Sequence, residues 1–312
     1  MFTFILRRFF HSLFVLFVVS FIVFFIMYKA GDPVELLLPP DATQKDAIEL
    51  RHALGLDKPF WVQYKIFLKN AIHGNIGKSF IYGQPALEVV IERLPATLQL
   101  ALVAIIISIL LGIPLGVIAA VKPQSMISRG IMFFSLFGIS IPVFWTGMVL
   151  VLIFSVSLEI LPSSGIGDKF LSVDWLKHII LPAITLSLYQ LALIIRLTRS
   201  GMMEVLLQDY IKLARAKGVP QRVIIFVHAL KNTLIPVITV IGIQFGQLIA
   251  FAIVTETIFA WPGTGKLIID SIQNLDRPVV VAYLMVVSVI FIAINFIVDI
   301  LYTFVDPRIR VK

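Results

Sequence analysis

Six stretches of this chain carry no charged side chain: residues 9–28, 94–121, 130–158, 179–195, 232–255 and 278–298. They run from 17 to 29 residues. As helices rising 1.5 Å per residue they would measure about 25 to 43 Å, against a hydrocarbon core of roughly 30 Å. The expected fold is therefore an all-α membrane protein with six transmembrane helices. Composition agrees: of 312 residues, 59% are hydrophobic and only 14% charged, far from the balance of a soluble domain. The fourth run is the shortest, and it extends if Arg196 snorkels to the interface.

Lysine and arginine near the span ends give an orientation. An even number of spans puts both termini on one side. With the N-terminus inside, the inner segments hold Arg7, Arg8, Lys122, Arg129, seven basic residues from Arg196 to Lys231, and Arg308, Arg310 and Lys312. Against these fourteen stand only Glu204, Asp209 and Asp306, whereas the outer segments hold twelve basic and fourteen acidic residues. The net charge of +8 is thus topology charge and not a nucleic-acid surface. Both termini are expected in the cytoplasm. Arg7 and Arg8 ahead of an apolar run suggest a signal peptide or a twin-arginine leader, but the run is long for a signal core and Tyr28-Lys29-Ala30-Gly31 offers no small-x-small cleavage site. A first span is the reading.

Residues 1–97 are expected to form the first transmembrane helix and an outer, periplasmic loop segment, and 98–312 a five-helix core with a cytoplasmic loop at 199–233. In the outer loop, helical spacing from Ala42 to Leu54, stopped by Gly55, and from Trp61 to Ile72, ended near Gly74, predicts short helices after the Pro39-Pro40-Asp41 break. That is too little core for an enzyme domain, and a cap over the outer mouth is expected. Thr97 is expected to cap the second span. Gly112, Pro114 and Gly116 in that span, Gly138 and Pro142 in the third, and Pro182 and Pro236 near the starts of the fourth and fifth mark kinks and close packing.

The longest cationic interruption is Gln208 to Pro236. Asp209 is placed to act as N-cap of a short helix from Tyr210 to about Lys217, Gly218 to take the left-handed C′ position, and Pro220 to prevent continuation. A short, capped, basic helix between two spans is a docking element that needs a partner.

Elsewhere the chemistry is sparse. With no cysteine there is neither a disulfide framework nor a thiolate ligand. His11, His52, His73, His178 and His228 show no ligand spacing, so neither a catalytic nor a metal site is expected. Gly-Thr-Gly-Lys at 263–266 imitates a phosphate loop, but Ala260 and Leu267 stand where the motif needs glycine and serine or threonine. Asp299 is the acid well inside a span; it lies about two turns from the helix end, which favours structural pairing over a transport role. In the fifth span Thr239, Gln244 and Gln247 either bond across helices or line a translocation pathway. Gln244 and Gln247 share a face, and Gly246 is available for close approach.

Several segments in order carry a resemblance: Gly31-Asp32-Pro33; Leu54-Gly55-Leu56-Asp57 with Pro59, Gln63 and Tyr64; Gly74-Asn75-Ile76-Gly77 with Ser79; Arg93-Leu94-Pro95-Ala96-Thr97; Leu161-Pro162; Ile180-Leu181-Pro182; Asp209-Tyr210 with Ala214-Arg215-Ala216-Lys217-Gly218; Lys231-Asn232 with Ile235-Pro236; and Glu256-Thr257-Ile258-Phe259 with Trp261-Pro262-Gly263. Together they resemble the permease subunits of bacterial ABC importers, in the dipeptide/oligopeptide, glutathione and nickel branch. The resemblance implies a type I ABC importer permease fold in the bacterial inner membrane. It implies as partners a second homologous permease in a heterodimer, two ATP-binding subunits and an extracytoplasmic binding protein that delivers peptides. No cofactor is then expected in this chain, ATP and Mg being held by the partner subunits. The coupling residues would be Asp209, Tyr210, Ala214, Arg215, Lys217 and Gly218. The broad coupling pattern has Glu-Ala-Ala, three residues and Gly; here Lys212 and Leu213 replace its first two members. Nickel or glutathione as cargo is the alternative within the family, and a self-contained ion-driven carrier or channel the alternative outside it.

Overall fold

The computed structural model describes residues 2–29, 34–38 and 42–305. Gly31-Asp32-Pro33, Pro39-Pro40-Asp41 and the basic terminus with Asp306, Arg308, Arg310 and Lys312 lie outside the described residues, as do the side chains of Arg7, Arg8 and Asp299. The described residues are mostly helical, with longer connections at 72–85 and 158–172, and strand-like pairing among them is confined to an isolated bridge, Lys78 to Pro85.

Among the described residues, five helices are long and apolar enough to cross a membrane, and a sharply bent pair makes a sixth. The five are α1 (Phe2–Lys29), α5 (Ala86–Val121), α8 (Val173–Leu206), α11 (Leu230–Phe251, entered through α10, Gln221–Val223, and a π-helical segment Ile224–Ala229) and α14 (Arg277–Val305). Most helices overrun the charge-free stretches, because charged residues near the ends do not break a helix. Thr97 is consequently no N-cap of the second span: α5 starts at Ala86, eleven residues earlier.

The third run, expected as one kinked span, is two helices, α6 (Met126–Ser140) and α7 (Val143–Leu150, continuing as π-helix Val151–Ser157), inclined at 107°. Pro142 explains the break. Its ring disfavours helical backbone at the preceding residue, and Ile141 is extended at φ −85°, ψ 129°. Pro142 itself, at φ −59°, ψ 136°, is the N-cap of α7.

The chain divides into two compact units, Met1–Thr97 with Pro262–Ala293, and Leu98–Trp261 with Ile294–Lys312. In the first, α3 (Gln44–Ala53) opens with a capping box between Thr43 and Asp46, and α4 (Phe60–Ala71) lies on α1 through an aromatic seam. Buried Asp276 accepts hydrogen bonds from the Ser79 hydroxyl and the Phe80 N–H (3.1 Å), tying the loop before α5 to the residue ahead of α14. Thr97 Oγ1 accepts from the N–H of Thr264 at 2.8 Å and so caps α13 (Thr264–Gln273) rather than its own helix.

In the second unit α8 is the spine, with Leu181, Ala183, Ala192, Ile194 and Met202 all buried. Helices α5 and α6 approach it closely at Gly116 and Gly138. The Ser108 hydroxyl donates to the Ser187 carbonyl of α8 at 3.1 Å. Pro182 sits inside α8, which begins at the Ser172 cap instead of near the proline.

Candidate functional site

Helix α8 ends at Leu206, Leu207 and Gln208 leave the helical path, and α9 occupies Asp209–Ala216. Gln208, extended at φ −67°, ψ 150°, is the N-cap, without a side-chain cap bond. The expectation for Asp209 is corrected by one position: it is the first helical residue. Its carboxylate pairs with Lys212 Nζ at 2.7 Å instead of capping, and still lies at the positive end of the helix. At the other end Gly218 is left-handed (φ +76°). Its N–H bonds the Arg215 carbonyl at 3.0 Å and the Val219 N–H bonds the Ala214 carbonyl at 3.1 Å, the paired bonds of a Schellman cap. Pro220 is then the N-cap of the next helix.

One face of α9 is held. Ile211 is fully buried and Ala214 half-buried, i and i+3 on one side. Beneath the loop, Met202, Ile225 and Ala229 pack with Val117 and Ala120 of α5. The Tyr210 hydroxyl accepts from Asn232 Nδ2 at 2.9 Å, and Asn232 also donates to the His228 carbonyl. The opposite face is exposed: Asp209, Tyr210, Lys212, Leu213, Arg215, Lys217 and Gly218. Of the six residues expected to couple, five lie exposed on α9 or at its cap, and Ala214 faces partly inward. The sequence reading missed Leu207 and Leu213, both more than half exposed. A signal was present, since Ile211 and Leu213 are two apart and cannot share a helix face; with Ile211 paired to Ala214, Leu213 must join Tyr210 on the outer ridge.

In α11, Gln244 is buried and donates through Nε2 to Gln190 Oε1 of α8 at 2.6 Å. Gln247, although near the same face, is exposed, and Thr239 is half-buried with its hydroxyl on the Ile235 carbonyl at 3.2 Å. Gly246 is buried, and α11 approaches Val298 of α14 closely at Gly242. A cavity of about 610 Å³ occupies the elbow of α6 and α7 beside α8. Its walls include Phe134, Gly138, Trp145 and Leu188, with Ser135, Thr185 and Tyr189 among its few polar groups. The sequence marked Gly138 and Pro142 without showing that the break opens a cavity.

Gly263 to Lys266 forms the start of α13, with Gly265 buried and the Thr264 N–H held by Thr97. Among the described residues no group of three His, Asp or Glu side chains is placed to hold a metal. The side chain of Asp299 lies outside the described residues.

Comparison with known proteins adds the family. Residues 112–311 match the model of the binding-protein-dependent transport system inner membrane component, and residues 1–101 match the N-terminal model of the same membrane components. The chain is 43% identical to the di/tripeptide transport system permease protein DppB of Pseudomonas aeruginosa, covering 90% of each. It is 41% identical to the oligopeptide transport system permease protein AppB of Bacillus subtilis, covering 98% of this chain and 99% of the relative. It is 42% identical to the dipeptide transport system permease protein DppB of Escherichia coli K12, covering 92% of each. Among solved structures, a chain of the MetNI methionine ABC transporter in an inward-facing conformation superposes with a TM-score of 0.56 at 17% identity, over 71% of this chain and 98% of that one, a likeness of fold. Two family models that together span nearly the whole chain, and relatives above 40% identity, establish that it belongs to the binding-protein-dependent transport system inner-membrane components, a family of multi-pass ABC transporter permeases.

Proposed function

We propose that this chain is one permease subunit of an ATP-driven importer of di- and oligopeptides, forming half of the translocation pathway beside a second, homologous permease. The observation that carries the cargo is identity of 41–43% along almost the full length to relatives named for peptide transport. An extracytoplasmic binding protein delivers the peptide, and two separate ATP-binding subunits hold ATP and Mg and do the hydrolysis. This chain catalyses nothing itself. Both termini lie in the cytoplasm, which puts α9 there and the α3–α4 connection outside. In this reading residues 1–97 supply the first span and outer segment, and 98–312 the core.

Helix α9 is the coupling element. It is fastened by Ile211, the Tyr210–Asn232 bond and the Gly218 cap, so a push on its exposed ridge moves the end of α8 and the start of the Gln221–Phe251 helix together. Leu207, Tyr210 and Leu213 offer apolar contact, and Lys212, Arg215 and Lys217 offer charge to an acidic groove. ATP-driven closure of the partner subunits then biases the permease between outward and inward access. The Gln190–Gln244 bond favours a structural role for Gln244. Gln247 and Thr239 remain proposed pathway residues, and the elbow cavity, with few polar groups, suits peptides of varied side chain.

Reconstitution with the co-encoded neighbours tests this. Di- and oligopeptides with the binding protein should stimulate ATP hydrolysis. Stimulation by nickel chelates or glutathione but by no peptide overturns the cargo, and proton- or sodium-driven uptake by this chain alone overturns the importer.

A further inference from the structure

Arg8 and Lys29 bracket twenty uncharged residues of α1, about 30 Å of helix, the thickness of the hydrocarbon core. With Arg8 and Lys29 at the two faces of the core, distance from Lys29 along α1, less any tilt, measures depth. Against the Lys29 half of this helix lies α4. Phe60 meets Tyr28 (ring centroids 5.2 Å apart) and Phe24 (5.7 Å), Tyr64 meets Phe21 and Phe24 (both 5.4 Å), and the Tyr64 hydroxyl hydrogen-bonds Ser20 at 3.0 Å in a buried site. Ser20 is nine residues before Lys29, roughly 13 Å along the axis. Phe67 packs back on Phe24 (5.2 Å), so α4 crosses α1 with Tyr64 its deepest contact and lies within the hydrocarbon boundary instead of wholly above it.

The outward side of α4 carries the residues such a place demands. Trp61 and Ile72 are 68% and 83% exposed and lie on one flank, eleven residues apart, and Trp61 stacks on Phe21 at 5.9 Å. This flank continues the exposed apolar surface of α1 at Phe17 and Phe25. Lys65 and Lys69, both exposed, follow Trp61 along the same i, i+4 ridge, and from Lys58 to His73 there is no acidic residue. In water, Ile72 and Trp61 would be an unpaid apolar exposure; long lysine stems beside them match a helix lying in a leaflet with its charges lifted to the headgroups.

We propose that α4 is an interfacial membrane helix, with Trp61 and Ile72 in the acyl chains of the leaflet where α1 ends and Lys65 and Lys69 on anionic phospholipid headgroups. The inference is independent of the cargo. This chain has no cysteine of its own, so with partner subunits made cysteine-free a single-cysteine nitroxide label is specific. Trp61→Cys, Ile72→Cys and, as a water-exposed reference on α3, Lys45→Cys are placed in the full transporter in phosphatidylcholine bilayers with and without phosphatidylglycerol. Labels at 61 and 72 should collide several-fold more with oxygen and several-fold less with a water-soluble nickel chelate than the label at 45. Nickel access equal to that at 45 overturns the proposal in favour of water, and low collision with both reagents overturns it in favour of a protein partner. Phosphatidylglycerol should raise the melting temperature of the native complex, and the Lys65→Gln, Lys69→Gln double variant should lose most of that rise. An unchanged rise overturns the headgroup contact.

Discussion

Replacing Gly116 with alanine tests whether α5 is seated on α8 by backbone proximity. A Cβ at Gly116 would lie 2.6 Å from Thr198 Cβ and 2.9 Å from the Ile195 carbonyl oxygen. The second of these is backbone and cannot rotate aside, so the helices must part. Alanine also gains about 1 kcal/mol of helix propensity over glycine, which partly masks the clash. Gly130 of α6 removes that ambiguity, because a Cβ there would meet nothing within 4 Å and Gly130→Ala collects the propensity alone. The difference between the two variants isolates the overpacking term, about 1–3 kcal/mol. Melting of the purified complex, followed by intrinsic fluorescence, should place Gly130→Ala at or above the native protein and Gly116→Ala below it. Equal stability of the two variants would refute the close seat.

Asp276→Ala leaves the N–H of Phe80 and the Ser79 hydroxyl without their acceptor, at about 1–3 kcal/mol per buried group. Trypsin should then cut at Lys78 faster, and an unchanged cutting rate would count against the latch. Gln244→Leu strands the buried amide of Gln190 and should destabilise by about 1–3 kcal/mol, whereas leucine at both positions should recover much of the loss; additive losses in thermal melts would sink the pairing. Gly218→Val forces a β-branched side chain to φ +76°, a cost of about 1–2 kcal/mol, and should lower substrate-stimulated ATP hydrolysis; normal stimulation in an intact complex argues against α9 as the docking element. The Thr43 backbone N–H, then its hydroxyl, hold the Asp46 carboxyl below its ordinary value. A depressed folded value means the capping contribution is present above the ordinary aspartate value near 4 and lost as pH falls through the lower folded one. Amides at the start of α3 should keep their exchange protection from neutral pH to about 5 and lose it only in stronger acid, and loss near neutrality would refute the assignment.

Local chemistry made much of this protein readable. Six charge-free runs become five long helices and a bent pair, because inside lipid an apolar stretch of that length has to satisfy its backbone within itself. Gly218 ended α9 where it stands, and Gly55 and Gly74 ended α3 and α4, because left-handed backbone favours glycine. Even the partial error at Asp209 was a shift of one residue.

What only the tertiary structure decided concerns which surfaces meet. Nothing near Gln244 in sequence names Gln190 as its partner, 54 residues away, and nothing near Thr97 says it caps a helix 167 residues later. Pro142 announced a kink, but the 107° angle and the elbow cavity depend on what α6 and α7 pack against. Hydropathy fixes that a segment is in the membrane, since transfer free energy is a property of each side chain. It cannot fix azimuth or neighbour, because between helices in lipid the apolar driving force is absent and small residues, hydrogen bonds and close packing choose the contact.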